Sequence, residues 1–121
     1  MSRTAPTGSF VALITPMNTD GSIDYEGFRT LLGWHAANGT SAVLIMGSTG
    51  EVSMLSPDEQ REIVRRTMAM RPAGMQLWYG CTGNNTATTI EYTRFAEAEG
   101  ADGAIIAAPS YICADNAAIV D

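Results

Sequence analysis

The stretch ANGTSAVLIMGSTGEVSMLSPDEQ, residues 37–60, carries the signals that decide how the chain is read. Asn38-Gly39 is a helix stop, because both residues tolerate a positive φ. Ala42–Met46 follows as a continuous apolar run, the pattern of a strand covered on both faces, as in parallel sheets. Gly47-Ser48-Thr49-Gly50-Glu51 then forms a glycine-rich connection with two adjacent hydroxyls. Ser56-Pro57-Asp58-Glu59 opens the next helix: Ser56 is suited to the N-cap, Pro57 to the first helical position and Glu59 to closing a capping box.

The same alternation recurs on either side of this stretch. Phe10–Ile14, Leu77–Gly80 and Ala104–Ala108 are three further apolar runs, and the four starts lie about 32, 35 and 27 residues apart, the length of one βα unit. Asp24 is placed to cap a helix reaching Ala37, with Phe28, Leu31, Leu32 and His35 on one side. The helix begun at Ser56 presents Ile63, Val64, Thr67 and Met68 as a buried stripe and ends at Pro72-Ala73-Gly74. A third helix starts near Asn85-Thr86, carries Ile90, Phe95 and Ala98, and stops at Gly100. A fourth begins around Asn116. The resulting βαβαβαβ order with a helical stub fits either a small open sheet, which pattern alone favours, or part of a (β/α)₈ barrel, which needs about 250 residues when whole.

Composition removes several function classes. The chain has 121 residues with 45% hydrophobic, enough for a real core. Its net charge is −6 and all seven basic residues are arginines in no dense stripe, so a nucleic-acid partner is not expected. No apolar run approaches the roughly 20 residues that span a bilayer, and the N-terminus lacks a signal-peptide core, so no membrane association and a cytoplasmic location are expected. Cys81 and Cys113 show no CxxC spacing and no nearby histidine; neither a disulfide, a metal site nor a cofactor is indicated. The Gly47–Glu51 segment is not a phosphate loop, which requires a lysine, nor a nucleophile elbow of the G-x-S-x-G kind. Alone it is an ordinary strand-to-helix connection. His35 and Cys81 are expected to be structural, as are the seven methionines.

Taken in order, these segments resemble one family. Gly8–Met17, Gly39-Thr40-Ser41-Ala42 leading into Gly47–Glu51, the Leu55–Glu59 helix start, and Gly100-Ala101-Asp102-Gly103 before Pro109-Ser110-Tyr111 resemble the N-terminal half of the dihydrodipicolinate synthase/N-acetylneuraminate lyase superfamily. The resemblance implies an α/β fold, the first four βα units of a TIM barrel, with residues 1–121 as a single partial domain. It also implies a class I lyase that binds pyruvate as a Schiff base and joins it to a small aldehyde such as aspartate semialdehyde. An N-acetylneuraminate or 2-keto-3-deoxy sugar acid aldolase or dehydratase is the alternative within the superfamily. A non-catalytic carboxylate-binding half-barrel is the alternative outside it.

By the same resemblance, Gly47, Ser48 and Thr49 bind the pyruvate carboxylate, and Ser48 also joins a catalytic proton relay. Tyr111 matches the tyrosine that completes this relay in a neighbouring subunit, which implies a homo-oligomer, a dimer or tetramer. The Schiff-base lysine has no counterpart, since the chain contains no lysine. The 121-residue chain alone is therefore expected to be inactive, as a truncated part of a longer enzyme. Asn84 matches the family's lysine-effector pocket, but Gln60, Thr88 and Ser110 depart from it, so feedback inhibition by lysine is not expected.

Overall fold

The computed structural model describes residues 4–111, 113 and 115–120. Each apolar run forms a strand: β1 is Ser9–Ala12, β2 Thr40–Ile45, β3 Gln76–Gly80 and β4 Gly103–Ile105. Helices alternate with them: α1 is Tyr25–Ala37, α2 Pro57–Ala69, α3 Thr86–Ala98 and α4 Asn116–Val120. The four strands pair in parallel in chain order, β1-β2-β3-β4, each step crossed by a helix. This is the N-terminal half of a (β/α)₈ barrel rather than the small open sheet that pattern alone favours.

The helix starts are chemical. Asp24 accepts from the Gly27 N–H at 2.9 Å, and Asn85 accepts from the Thr88 N–H at 2.8 Å. At α2 the box is complete: the Glu59 N–H donates to Ser56 Oγ at 3.2 Å and the Ser56 N–H to Glu59 Oε2 at 2.8 Å. Each satisfies N–H groups that the first helical turn leaves unpaired.

The sheet has two unlike faces. The register places Val11, Val43 and Leu77 in one row and Ile45 beside Tyr79 in the next. Val43, Leu77, Ile45 and Tyr79 are buried together with Phe28, Leu32, Ile63 and Val64 from α1 and α2. The other face holds Phe10, Ala12, Leu44, Trp78 and Gly103, and stays partly open. Trp78 lies flat there: a Cβ on Gly103 would meet its indole at 2.4 Å. The Phe10 and Trp78 rings sit 5.6 Å apart between centroids.

Two expectations differ in detail. β4 is shorter than the run Ala104–Ala108, because β3 ends at Gly80 and beyond it the Ala107 N–H turns to the Thr82 hydroxyl at 2.9 Å. α3 buries Ala96, whereas Ile90 is exposed, because Ile90 lies well around the helix from Ala96 at 100° per residue.

One buried polar contact joins helix to sheet. The Thr67 hydroxyl donates to the Ile63 carbonyl at 2.6 Å, so its single proton is committed and Tyr79 must donate to Thr67 Oγ1 at 2.7 Å. Thr67→Val keeps the shape and strands the Tyr79 hydroxyl. It is expected to cost about 1–3 kcal/mol in denaturant unfolding, and Tyr79→Phe less.

Candidate active site at the ends of β2 and β3

β2 ends at Ile45, and the backbone turns sharply at Met46, with φ +58°. Residues 47–51 wind into overlapping turns, the Gly50 N–H donating to the Gly47 carbonyl at 3.0 Å and the Glu51 N–H to the Ser48 carbonyl at 3.0 Å. Glu51 is left-handed too, φ +53°, and starts a 3₁₀ turn over Val52–Met54. The bends thus fall on Met46 and Glu51, not on the flanking glycines, as flexible glycines would suggest. The glycines supply room instead. A Cβ on Gly50 would lie 3.2 Å from both the Leu13 carbonyl and the Met46 nitrogen.

Within this turn Ser48 and Thr49 are exposed at the C-terminal end of the sheet. Among the described residues neither hydroxyl has a hydrogen-bond partner in the protein. Ser48 and Gly47 line an open cleft of about 670 Å³ that also takes in Gln60, Asn84, Thr88 and Ser110. Among the described residues no charged side chain lines it, in a chain with 13 acidic residues. Ser110 donates to Asn84 Oδ1 at 3.1 Å, and the Gln60 amide donates to the Leu55 carbonyl at 3.0 Å. Thr49 and Tyr111 are outside the lining. Tyr111 is fully exposed, at φ +72°. The structure therefore brings Gly47 and Ser48 to the cleft and points Tyr111 away from the rest of the chain.

The other candidates are structural. His35 Nδ1 lies 3.1 Å from the Thr40 hydroxyl, tying α1 to β2. Cys81 is buried at the end of β3, and burial pushes its thiol up to about 11. Burial also raises the Tyr79 phenol. Among the described residues no group of three or more His, Cys, Asp or Glu could hold a metal, and no helix is long and apolar enough to cross a membrane. Sequence reading missed Asp102, whose carboxylate accepts from the Leu77 N–H and from Arg71 Nη1, each at 2.9 Å. It also missed Thr15, whose buried hydroxyl donates to the Gly50 carbonyl at 2.7 Å.

A family model for the dihydrodipicolinate synthetase family matches residues 5–121. The chain belongs to that family. A 4-hydroxy-tetrahydrodipicolinate synthase of Acidovorax sp. (strain JS42) is 42% identical over 111 residues, 91% of this chain and 37% of that protein. The chloride-inhibited dihydrodipicolinate synthase of Acinetobacter baumannii, solved in complex with pyruvate, is 34% identical with a TM-score of 0.84 over 88% of this chain and 37% of its own. The 4-hydroxy-tetrahydrodipicolinate synthase of Methylacidiphilum fumariolicum SolV, 29% identical, superposes at 0.89 over 96% of this chain and 38% of its own. The chain thus spans a little over a third of the length of these relatives.

The two thiols should separate cleanly. At neutral pH an exposed Cys113 reacts quickly with a disulfide reagent, while Cys81 reacts only as the protein opens. A group whose acid dissociation is suppressed by folding holds more protons in the native state, so stability falls as pH rises between its unfolded and folded values. For Cys81 that window runs from about 9 to about 11, and thermal melts should drop across it, Tyr79 adding to the loss at the upper end.

Proposed function

We propose that these residues form the carboxylate-binding part of a class I pyruvate-dependent lyase of the dihydrodipicolinate synthase type. The observation that carries this reading is the Gly47–Glu51 turn. It presents two uncommitted hydroxyls at the strand ends, where barrel active sites are built, in a chain that matches the family from residue 5 to 121. Ser48 and Thr49 would receive the pyruvate carboxylate with the turn's N–H groups, and Ser48 would relay a proton to the reacting carbons. A protonated imine on a lysine makes the adjacent methyl carbon acidic, and the resulting enamine attacks an aldehyde such as aspartate semialdehyde. That lysine lies outside these 121 residues, which contain none. Residues 1–121 are accordingly one partial barrel domain, inactive alone.

Tyr111 would complete the relay in a neighbouring subunit of a homo-oligomer, a dimer or tetramer in the cytoplasm. Its full exposure supports that role. Lysine biosynthesis is the corresponding pathway.

Borohydride reduction in the presence of pyruvate tests the reading. A full-length protein carrying these residues should gain a covalent pyruvate adduct on lysine, and the 121-residue chain should gain none. Ser48→Ala should lower turnover by about 10²-fold, the scale of one lost proton-transfer group. Absence of an adduct on the full-length protein would remove the lyase assignment. Added lysine should leave activity unchanged, because no described residue of the cleft offers its ammonium a carboxylate.

A further inference from the structure

The Gly47–Glu51 turn is gripped from both neighbouring strands. From the β1 side, the Thr15 hydroxyl donates to the Gly50 carbonyl at 2.7 Å across 35 residues of chain, and Thr15 is only 6% exposed. From the β3 side, Gly80 packs so tightly that a Cβ there would lie 2.0 Å from the Met46 carbonyl oxygen and 3.2 Å from the Gly47 nitrogen. Gly80 does not have a positive φ, so space rather than backbone conformation requires glycine. The Thr15 hydroxyl is buried with its proton committed to the Gly50 carbonyl, and Gly80 has no side chain, so neither meets a ligand in the turn as a donor. Each fixes the peptide at one end of it: Met46–Gly47 before Ser48, and Gly50–Glu51 after Thr49.

We infer that Thr15 and Gly80 are positioning residues that set where the Ser48 and Thr49 hydroxyls lie for the reaction. This inference rests on the lyase reading above. A turn with two left-handed non-glycine residues, at Met46 and Glu51, sits in a costly backbone conformation and keeps it only where its surroundings hold it. Release of either grip lets the turn relax, and the hydroxyls move with it. Small displacements of a group that orients substrate reduce rate steeply, by up to about 10²-fold for 1 Å.

The test uses the full-length protein that carries these residues, with pyruvate and borohydride as the probe. Both the final adduct stoichiometry and the rate of imine formation per active site at saturating pyruvate are measured. Thr15→Val preserves shape and deletes the hydroxyl, Thr15→Ser restores it, and Gly80→Ala pushes on the Met46 carbonyl. Thr15→Val and Gly80→Ala are expected to reach the wild-type stoichiometry at a rate lower by about 10- to 100-fold, with Thr15→Ser near wild type. A purely structural role would lower stoichiometry and melting temperature while leaving the rate per active site unchanged. That result in either folded variant overturns the inference, as does a Thr15→Ser rate as slow as that of Thr15→Val. Failure of both variants to fold would assign the residues to stability and overturn it too. Absence of an adduct on the wild-type protein would instead overturn the lyase reading, and this inference with it.

Discussion

The C-terminal end of the sheet depends on how closely β2 and β3 approach one another there. Along the ladder the strands are spaced by their hydrogen bonds, but past Ile45 the backbone leaves the ladder, and the Met46 carbonyl swings over Gly80 with no room for a side chain. That approach directs residues 47–51 across the top of the sheet instead of straight into α2. The turn then packs back on β1 through Gly50 and the Thr15 hydroxyl. Three strands thereby fix one five-residue segment, which brings Ser48 to the cleft and leaves Thr49 exposed outside its lining.

The legible part of this arrangement was the part written in local chemistry. Ser56, Pro57 and Glu59 form the box their order implies, and Asp24 and Asn85 cap the helices they precede. The strand centres fall on the apolar runs because a strand buried on both faces has no polar alternation to obscure it. What escaped was long-range. The role of Thr15 exists only once Gly50 is brought beside it, and that of Asp102 only once β3 offers the Leu77 N–H. Nor could the sequence assign the bends to Met46 and Glu51, since local preference puts left-handed backbone on Gly47 and Gly50. Tertiary packing reversed that preference by claiming the glycines for space.

The two faces of the sheet differ in how fully they are packed. The helix-covered face holds the large buried side chains and the Thr67–Tyr79 contact, and it is dry enough to suppress the ionisation of both Tyr79 and Cys81. The opposite face is filled only in part, by Trp78 laid over Gly103 and against Phe10, with Phe10 40% exposed. Among the described residues β1 and β4 each have one sheet neighbour, so each leaves an unpaired edge. Apolar side chains and open edges of this kind are what a closed barrel covers.

In the proposed lyase a second division accounts for what these residues provide and what they lack. Binding a small carboxylate at a strand end needs only a rigid turn, N–H groups and hydroxyls, all of which lie between Met46 and Glu51. Forming an imine needs an amine of lowered basicity, and no lysine is present in these residues to supply one. In a barrel, catalytic groups come from the ends of several different strands, so binding and nucleophilic functions naturally fall on separate stretches of chain. The neutral lining of the cleft fits that division of labour. A site that holds an anion by oriented dipoles leaves the charge of the reacting nitrogen to be set elsewhere in the barrel.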